Sequence, residues 1–121
     1  MNSTEFEELV VEALESLPSA FVPYLENVEI LVEPRLTRQI RHRLELEPGE
    51  VVYGFYEGVP LTEQGSDGVY LPATILIFQE PLERDFSSRL ELRQEVRRTV
   101  SHELAHHLGI SDERLDELGA Y

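Results

Sequence analysis

Apolar residues recur at helical spacing near the start of the chain. They stand three or four positions apart and end just before Pro18, which predicts a first helix that stops there. These positions are Phe6, Leu9, Val10, Ala13, Leu14 and Leu17. Ser3 or Thr4 can cap this helix, and Glu7, three residues after Thr4, would complete a capping box. A further short helical turn is expected within residues 19–28.

Three stretches rich in β-branched and aromatic residues predict strands. Val28–Glu33 is mostly apolar and is closed by Pro34. Residues 50–57, with the sequence EVVYGFYE, have a composition typical of a strand. The third strand is best placed at Ala73–Phe78, because Pro72 would remove a hydrogen-bond donor from a longer strand. A small sheet of three or four strands is therefore expected.

Two connections between these strands differ in character. Leu36, Ile40 and Leu44 stand four residues apart, which favours a short helix after the first strand. Gly58–Gly68 holds three glycines and a proline, a composition typical of a flexible loop.

A long helix is predicted from about Ser87 to Leu108. Its apolar residues form a stripe with a spacing of four, and Gly109 is suited to end it. The stripe consists of Leu92, Val96, Val100, Leu104 and Leu108. A last short helix then follows, with Ser111 or Asp112 as its cap. This order of elements predicts a single domain over residues 1–121 with an α+β fold.

The charge of the chain limits its partners. The 121 residues include 24 acidic side chains and 10 arginines, which give a formal net charge of −14 and a pI near 4.5. Nucleic acid and anionic membranes would be repelled, so we expect neither as a partner. The acidic N-terminal segment does not resemble a secretory signal, and no apolar stretch is long enough to span a membrane. The expected location is the cytoplasm.

Two missing residue types narrow the possible chemistry. Without cysteine, the chain has no disulfide, thiolate zinc cluster or cysteine nucleophile. Without lysine, it has no Schiff-base chemistry. Any metal ion must therefore bind through His, Asp or Glu.

The end of the long helix contains the sequence His-Glu-Leu-Ala-His. Its two histidines, His102 and His106, are one turn apart, so their imidazoles can bind the same zinc ion at about 2.0–2.1 Å. Glu103 points to another part of the helix surface and is better placed to accept a proton from water than to be a ligand. The pattern predicts a catalytic zinc site with Glu103 as general base.

A third ligand is expected just beyond this helix. Gly109 turns the chain and brings Asp112 back toward the histidines, which extends the pattern to H-E-x-x-H-x-x-G-x-x-D. A catalytic zinc needs three protein ligands and one open position, and Asp112 would complete that number. Asp112 can instead cap the final helix with Ser111, and Glu113 and Asp116 are alternative ligands.

Three segments of the chain resemble the small bacterial zincin-like metallopeptidases. They are HELAHHLGISDE, GFYEGVPLTE and ATILIF, and the resemblance covers most of the chain, from the first helix to the end. It implies a minimal zincin fold, one zinc ion and a peptide or protein substrate. It also implies that His102, His106 and Asp112 hold the metal and that Glu103 is the catalytic base. Metzincin-type enzymes share His or Asp at the third-ligand position but have a methionine-containing turn, whereas the only methionine here is Met1.

Two hypotheses about function result. The first is a zinc-dependent hydrolase that acts on peptide bonds, in which Ala73–Phe78 runs along the cleft as an edge strand that pairs with an extended peptide. In this hypothesis Gly58–Gly68 acts as a flap, and Tyr70 or Tyr121 can polarise an oxyanion. The alternative is a non-catalytic metal-binding or peptide-interaction module with a remnant zincin site.

Two further groups of residues have structural interpretations. His107 lies within the apolar stripe of the long helix, which favours a core or supporting histidine over a ligand. A basic cluster is expected to form a solvated face that pairs with nearby glutamates, with the binding of a substrate carboxylate as the alternative. This cluster consists of Arg35, Arg38, Arg41, His42 and Arg43.

Overall fold

The computed structural model describes residues 1–58 and 72–117, and for Asp112, Leu115 and Asp116 it describes the backbone alone. The α-helices are α1 (Ser3–Glu15), α2 (Arg38–Arg43), α3 (Gln79–Asp85), α4 (Arg89–Leu108) and α5 (Asp112–Glu117). The strands are β1 (Val28–Glu33), β2 (Gly54–Glu57) and β3 (Ala73–Phe78), and a 3₁₀ helix covers Ser19–Leu25. The predicted α+β class is confirmed.

The three strands form one mixed sheet in the order β1-β3-β2. β1 pairs with β3 in parallel, with Val28 opposite Ala73, and β2 pairs with β3 in antiparallel orientation, with Gly54 opposite Ile77. β3 is therefore the central strand, flanked on both sides, and the expectation that it forms the edge of a cleft is wrong. A sequence pattern identifies a strand but not the strands that pair with it, and those partners determine whether β3 is a central or an edge strand.

The main hydrophobic core lies between one face of the sheet and the helices α1 and α4. Alternation along β3 sends Ile75 and Ile77 to this face, where they join the fully buried Phe6, Val96 and Leu104.

A smaller core covers the opposite face of the sheet. The other β3 residues, Leu76 and Phe78, contact Leu44 there, with the partly buried Ile40 of α2 beside them. β3 is buried on both faces, which explains why its sequence is almost continuously apolar.

Three local predictions need correction. The cap of α1 is Asn2, whose Oδ1 accepts a hydrogen bond from the backbone N–H of Glu5 at 2.8 Å, so Ser3 and Thr4 already belong to the helix. β2 begins at Gly54 rather than at residue 50. α3 was not expected, because it starts directly at the end of β3 without a capping side chain and holds Pro81, which a first turn tolerates.

The ends of α4 agree with the sequence pattern. Ser88 caps its start by accepting a hydrogen bond from the N–H of Glu91 at 3.1 Å. Gly109 ends it with left-handed backbone angles, φ 70° and ψ 31°, as a glycine at this position favours. The Oγ of Ser111 accepts a hydrogen bond from the N–H of Arg114, so of the two capping candidates for α5 it is Ser111 that caps the backbone.

The basic cluster around α2 is partly paired with acidic segments nearby, as expected. Arg43 forms an ion pair with Glu57 at the end of β2 (3.3 Å), and the guanidinium of Arg41 donates a hydrogen bond to the backbone carbonyl of Glu50.

Within the described ranges, no helix is long and apolar enough to cross a membrane.

Candidate active site

The last two turns of α4 carry the two histidines of the predicted metal site. The residues that point toward the sheet, Val100 and Leu104, are completely buried and fix the rotation of the helix. That rotation leaves His102 half-buried and His106 exposed, with 63% of the His106 side chain accessible to solvent. The imidazole of His106 therefore faces the solvent, whereas the Nε2 atom of His102 is buried.

Glu103 lies between these histidines with its carboxylate largely buried, since only 15% of its side chain is exposed. The carboxylate accepts a hydrogen bond from the backbone N–H of Tyr56 in β2, and its Oε2 lies 3.2 Å from Nδ1 of His106. Burial raises the pKa of Glu103, while positive charge on His106 and His102 and the Tyr56 N–H act in the opposite direction. The result is a carboxylate that binds a proton more readily than an exposed glutamate does.

β2 approaches α4 very closely at Gly54. A Cβ at this position would lie 2.5 Å from Cγ2 of Thr99 and 3.1 Å from the carbonyl oxygen of Leu76. It would also lie 3.5 Å from Cγ of Glu103. A glycine is therefore required for the strand to come close enough to contact Glu103.

A shallow groove opens between β2 and α4. Its volume is about 240 Å³, and it is lined by Val52, Tyr53, Gly54, Thr99, His102 and Glu103. Because β2 has β3 on one side only among the described strands, its other edge borders this groove. A bound molecule in the groove would meet a half-buried imidazole and a carboxylate together.

Tyr56 connects β2 to three residues at the end of α4. Besides the backbone bond to Glu103, its hydroxyl lies 3.0 Å from Nδ1 of the buried His107, and its ring meets that of His106 edge-on at 6.4 Å between centroids. Burial lowers the pKa of His107, which favours the neutral ring. His107 is thus a buried histidine, as predicted. The role of Tyr56 was missed, because the sequence gives no signal of which helix a strand residue meets.

Tyr53 holds the start of β2 against the segment between α3 and α4. Its hydroxyl donates a hydrogen bond of 2.5 Å to Oδ2 of Asp85, and its ring packs edge-on against Phe86 at 5.6 Å. The hydrogen bond from Tyr53, followed by that from Arg84, lowers the pKa of Asp85, and the same contact with Asp85 raises the pKa of Tyr53. One wall of the groove is therefore tied to the body of the domain.

The predicted third metal ligand, Asp112, lies just beyond the end of α4. Asp112 begins α5 shortly after Gly109, as the sequence pattern required, but its side chain and that of Asp116 lie outside what the structure describes. Glu113 is exposed. Among the side chains that are described, no three His, Asp or Glu residues group so as to hold a metal ion. Asp112 as third ligand thus stays a prediction.

Two other expectations fall on residues without a description. The proposed flap, Gly58–Gly68, lies outside the described residues except for Gly58, and so do Tyr70 and Tyr121.

Comparison with known proteins identifies the family. The family model of zincin-like metallopeptidases matches residues 25–120, which include the whole sheet, the groove and the His-Glu-Leu-Ala-His segment but not α1. The chain therefore belongs to the zincin-like metallopeptidase family. No curated protein matches the sequence significantly. Zinc binding and peptide hydrolysis are the properties that this family suggests.

We expect Gly54→Ala to lower the free energy of unfolding by about 1–3 kcal/mol, the usual cost of overpacking. The added methyl group meets Cγ2 of Thr99 at 2.5 Å, and Thr99→Ser removes that atom. The double variant should therefore regain part of the lost stability, with the Leu76 carbonyl limiting the recovery. Urea unfolding of the wild type, both single variants and the double variant gives the coupling energy. Strictly additive losses would contradict this description of the β2–α4 contact.

We expect Tyr53→Phe to lower the melting temperature by a few degrees at most, and only within a pH window. Folding lowers the pKa of Asp85, so its contribution to the stability of the fold is complete above its ordinary pKa. That contribution is lost as the pH falls through the lower pKa of the folded state. Folding raises the pKa of Tyr53, so its contribution to stability is complete below its ordinary pKa and is lost as the pH rises through the higher pKa of the folded state. Thermal melts at several pH values would measure both limits. The exposed Tyr24, changed to Phe, is the control that should show no such window.

Proposed function

We propose that this protein is a zinc-dependent metallopeptidase with its active site in the groove between β2 and α4. The observation that carries the proposal is the placement of the Glu103 carboxylate, which is largely buried and held by the Tyr56 N–H between His102 and His106. A structural metal site has no need of such a carboxylate, whereas a hydrolase needs a general base at this position.

The side chains at the site suit zinc. Imidazole nitrogens and a carboxylate oxygen are ligands that zinc prefers, and His102 and His106 supply the two imidazoles from successive turns of α4. Asp112 is proposed as the third ligand of one ion, with Glu113 and Asp116 as the alternatives. When bound, zinc supplies a Lewis acid that polarises a carbonyl and lowers the pKa of water.

Glu103 is proposed to move the proton. Its carboxylate would accept a proton from the attacking water and return it to the leaving amine, the two tasks of a general base and acid in peptide hydrolysis. Its raised pKa supports this role, because a base works best when its pKa approaches the working pH. The contact of Oε2 with Nδ1 of His106 leaves Nε2 as the nitrogen of that ring available to a metal.

β2 is proposed to align the substrate. Its edge borders the groove, and an extended peptide can add to an open strand edge through backbone hydrogen bonds. Pairing with an extended peptide was first expected of β3, and it is now proposed for β2. Gly54, at the closest point to Glu103, has no side chain that would hold a peptide away from it.

Zinc titration and a cleavage assay test the proposal together. Metal-free protein should bind one zinc ion per chain in calorimetry, and the loaded protein should cleave members of a peptide library that the metal-free protein leaves intact. Zinc binding without any cleavage would favour the alternative, a non-catalytic metal-binding or peptide-interaction module. An absence of zinc binding would overturn the proposal.

A further inference from the structure

The sheet has a second open edge, on the side opposite the candidate active site. Among the described strands β1 pairs only with β3, so half of its backbone N–H and C=O groups point away from the sheet. β3 separates β1 from β2, which places this edge apart from Glu103 and the histidines.

An apolar groove follows this edge, between β1 and α1. Its volume is about 340 Å³, and it is lined by Val10, Val11 and Leu14 of α1 and by Ile30–Val32 of β1. Val11 is 51% exposed and Leu31 is 40% exposed, so two large apolar side chains on neighbouring elements face the solvent at this groove. Burying them requires a partner that is itself apolar.

The border of this groove is acidic. Glu7 lines the groove, and Glu29 and Glu33 lie on β1, on the same strand face as Leu31 because alternate residues share a face. No arginine among residues 1–58 and 72–117 forms an ion pair with these three glutamates, in contrast to Glu12, which pairs with Arg89 at 2.9 Å. Three glutamates without an ion-pair partner among the described residues surround an apolar strand edge, which favours a positively charged occupant.

We propose that β1 binds an extended, basic segment of a partner protein, which adds to the sheet as a further strand. Backbone hydrogen bonds to β1 would supply affinity, and the side chains would supply specificity. Residues opposite each other on paired strands contact directly, so basic residues are expected opposite Glu29 and Glu33. Apolar residues are expected opposite the three positions between them. The recognised segment is thus basic–apolar–apolar–apolar–basic.

A second copy of this chain is a poor occupant of the same edge. Its own β1 carries the same glutamates, and each chain has a formal net charge of −14, so two such edges repel each other. The inference is independent of the proposed peptidase activity, because it uses no residue of the β2–α4 groove.

Peptide binding with a reversal of charge tests this inference. The probe is a fluorescent peptide with the core Arg-Val-Leu-Val-Arg, added in the absence of zinc, and its counterpart has Glu in place of both arginines. We expect the wild type to bind the basic peptide at least tenfold more tightly, and amide hydrogen exchange to slow along Val28–Glu33. The variant Glu29→Arg/Glu33→Arg should reverse the preference and bind the acidic peptide.

A matched variant shows whether the peptide binds at β1 or responds only to the net charge of the protein. Glu47→Arg/Glu91→Arg makes the same change in net charge at two exposed positions away from β1 and should keep the preference of the wild type. Circular dichroism confirms the fold of each variant. Slower exchange at Gly54–Glu57 instead of Val28–Glu33 would overturn the inference, as would equal binding of both peptides. Self-association in sedimentation that Leu31→Arg abolishes would also overturn it, because the occupant would then be a second copy.

Discussion

Glu103→Gln is expected to lower kcat for peptide hydrolysis by about 10²–10⁴-fold, the usual contribution of a general base. Glutamine keeps the size of the side chain and can still accept the hydrogen bond from the Tyr56 N–H, but it cannot bind a proton at neutral pH. Zinc affinity should change little, because the two imidazoles remain in place. The result would therefore be a protein that binds its metal and no longer hydrolyses peptides.

Three measurements separate this outcome from a loss of folding. Calorimetry should give one zinc ion per chain for the variant, circular dichroism should match the wild type, and single-turnover kinetics should place the loss in the chemical step. Glu91→Gln, at an exposed position on the same helix, is the matched control and should retain full activity. Zinc affinity that falls together with kcat would instead make Glu103 a ligand and would contradict the role proposed for it.

The elements that could be predicted from the sequence are those with a local cause. β1 and β3 have the bounds that were expected, because a proline flanks each of them and their composition is apolar. α4 was recognised from a stripe of residues with a spacing of four, and its glycine stop at Gly109 is a property of one residue. The motif on α4 follows from the same regularity, since a helix alone brings His102 and His106 to successive turns.

The features that were missed depend on residues far apart in the sequence. Nothing in the sequence shows that β2 lies beside β3 and faces α4, and that arrangement is what allows the Tyr56 N–H to reach Glu103, 47 positions further along. The glycine at Gly54 became meaningful only when Thr99 and Glu103 were found against it. Tertiary contacts thus complete a candidate site whose residues on α4 a local pattern could indicate.

His106→Ala is expected to abolish the stabilisation of the protein by zinc while leaving the metal-free fold intact. A ligand that binds only the folded state stabilises it by about 2.7 kcal/mol at a concentration of 100 times its Kd, so the wild type should melt several degrees higher with zinc than without. The variant lacks one of two adjacent imidazoles, and its melting temperature should not respond to zinc. The metal-free variant should be nearly as stable as the metal-free wild type, because the side chain of His106 is 63% exposed and alanine favours a helix.

His42→Ala controls for unspecific binding of zinc to exposed imidazoles. His42 is exposed on α2 and belongs to no part of the groove, so this variant should respond to zinc as the wild type does. If both variants lose the response, zinc binds to the surface without a defined site. If neither loses it, the ion is held elsewhere and the pattern on α4 is not a metal site. Loss in His106→Ala alone locates the ion at the end of α4, where the buried carboxylate of Glu103 is in position to act as a base.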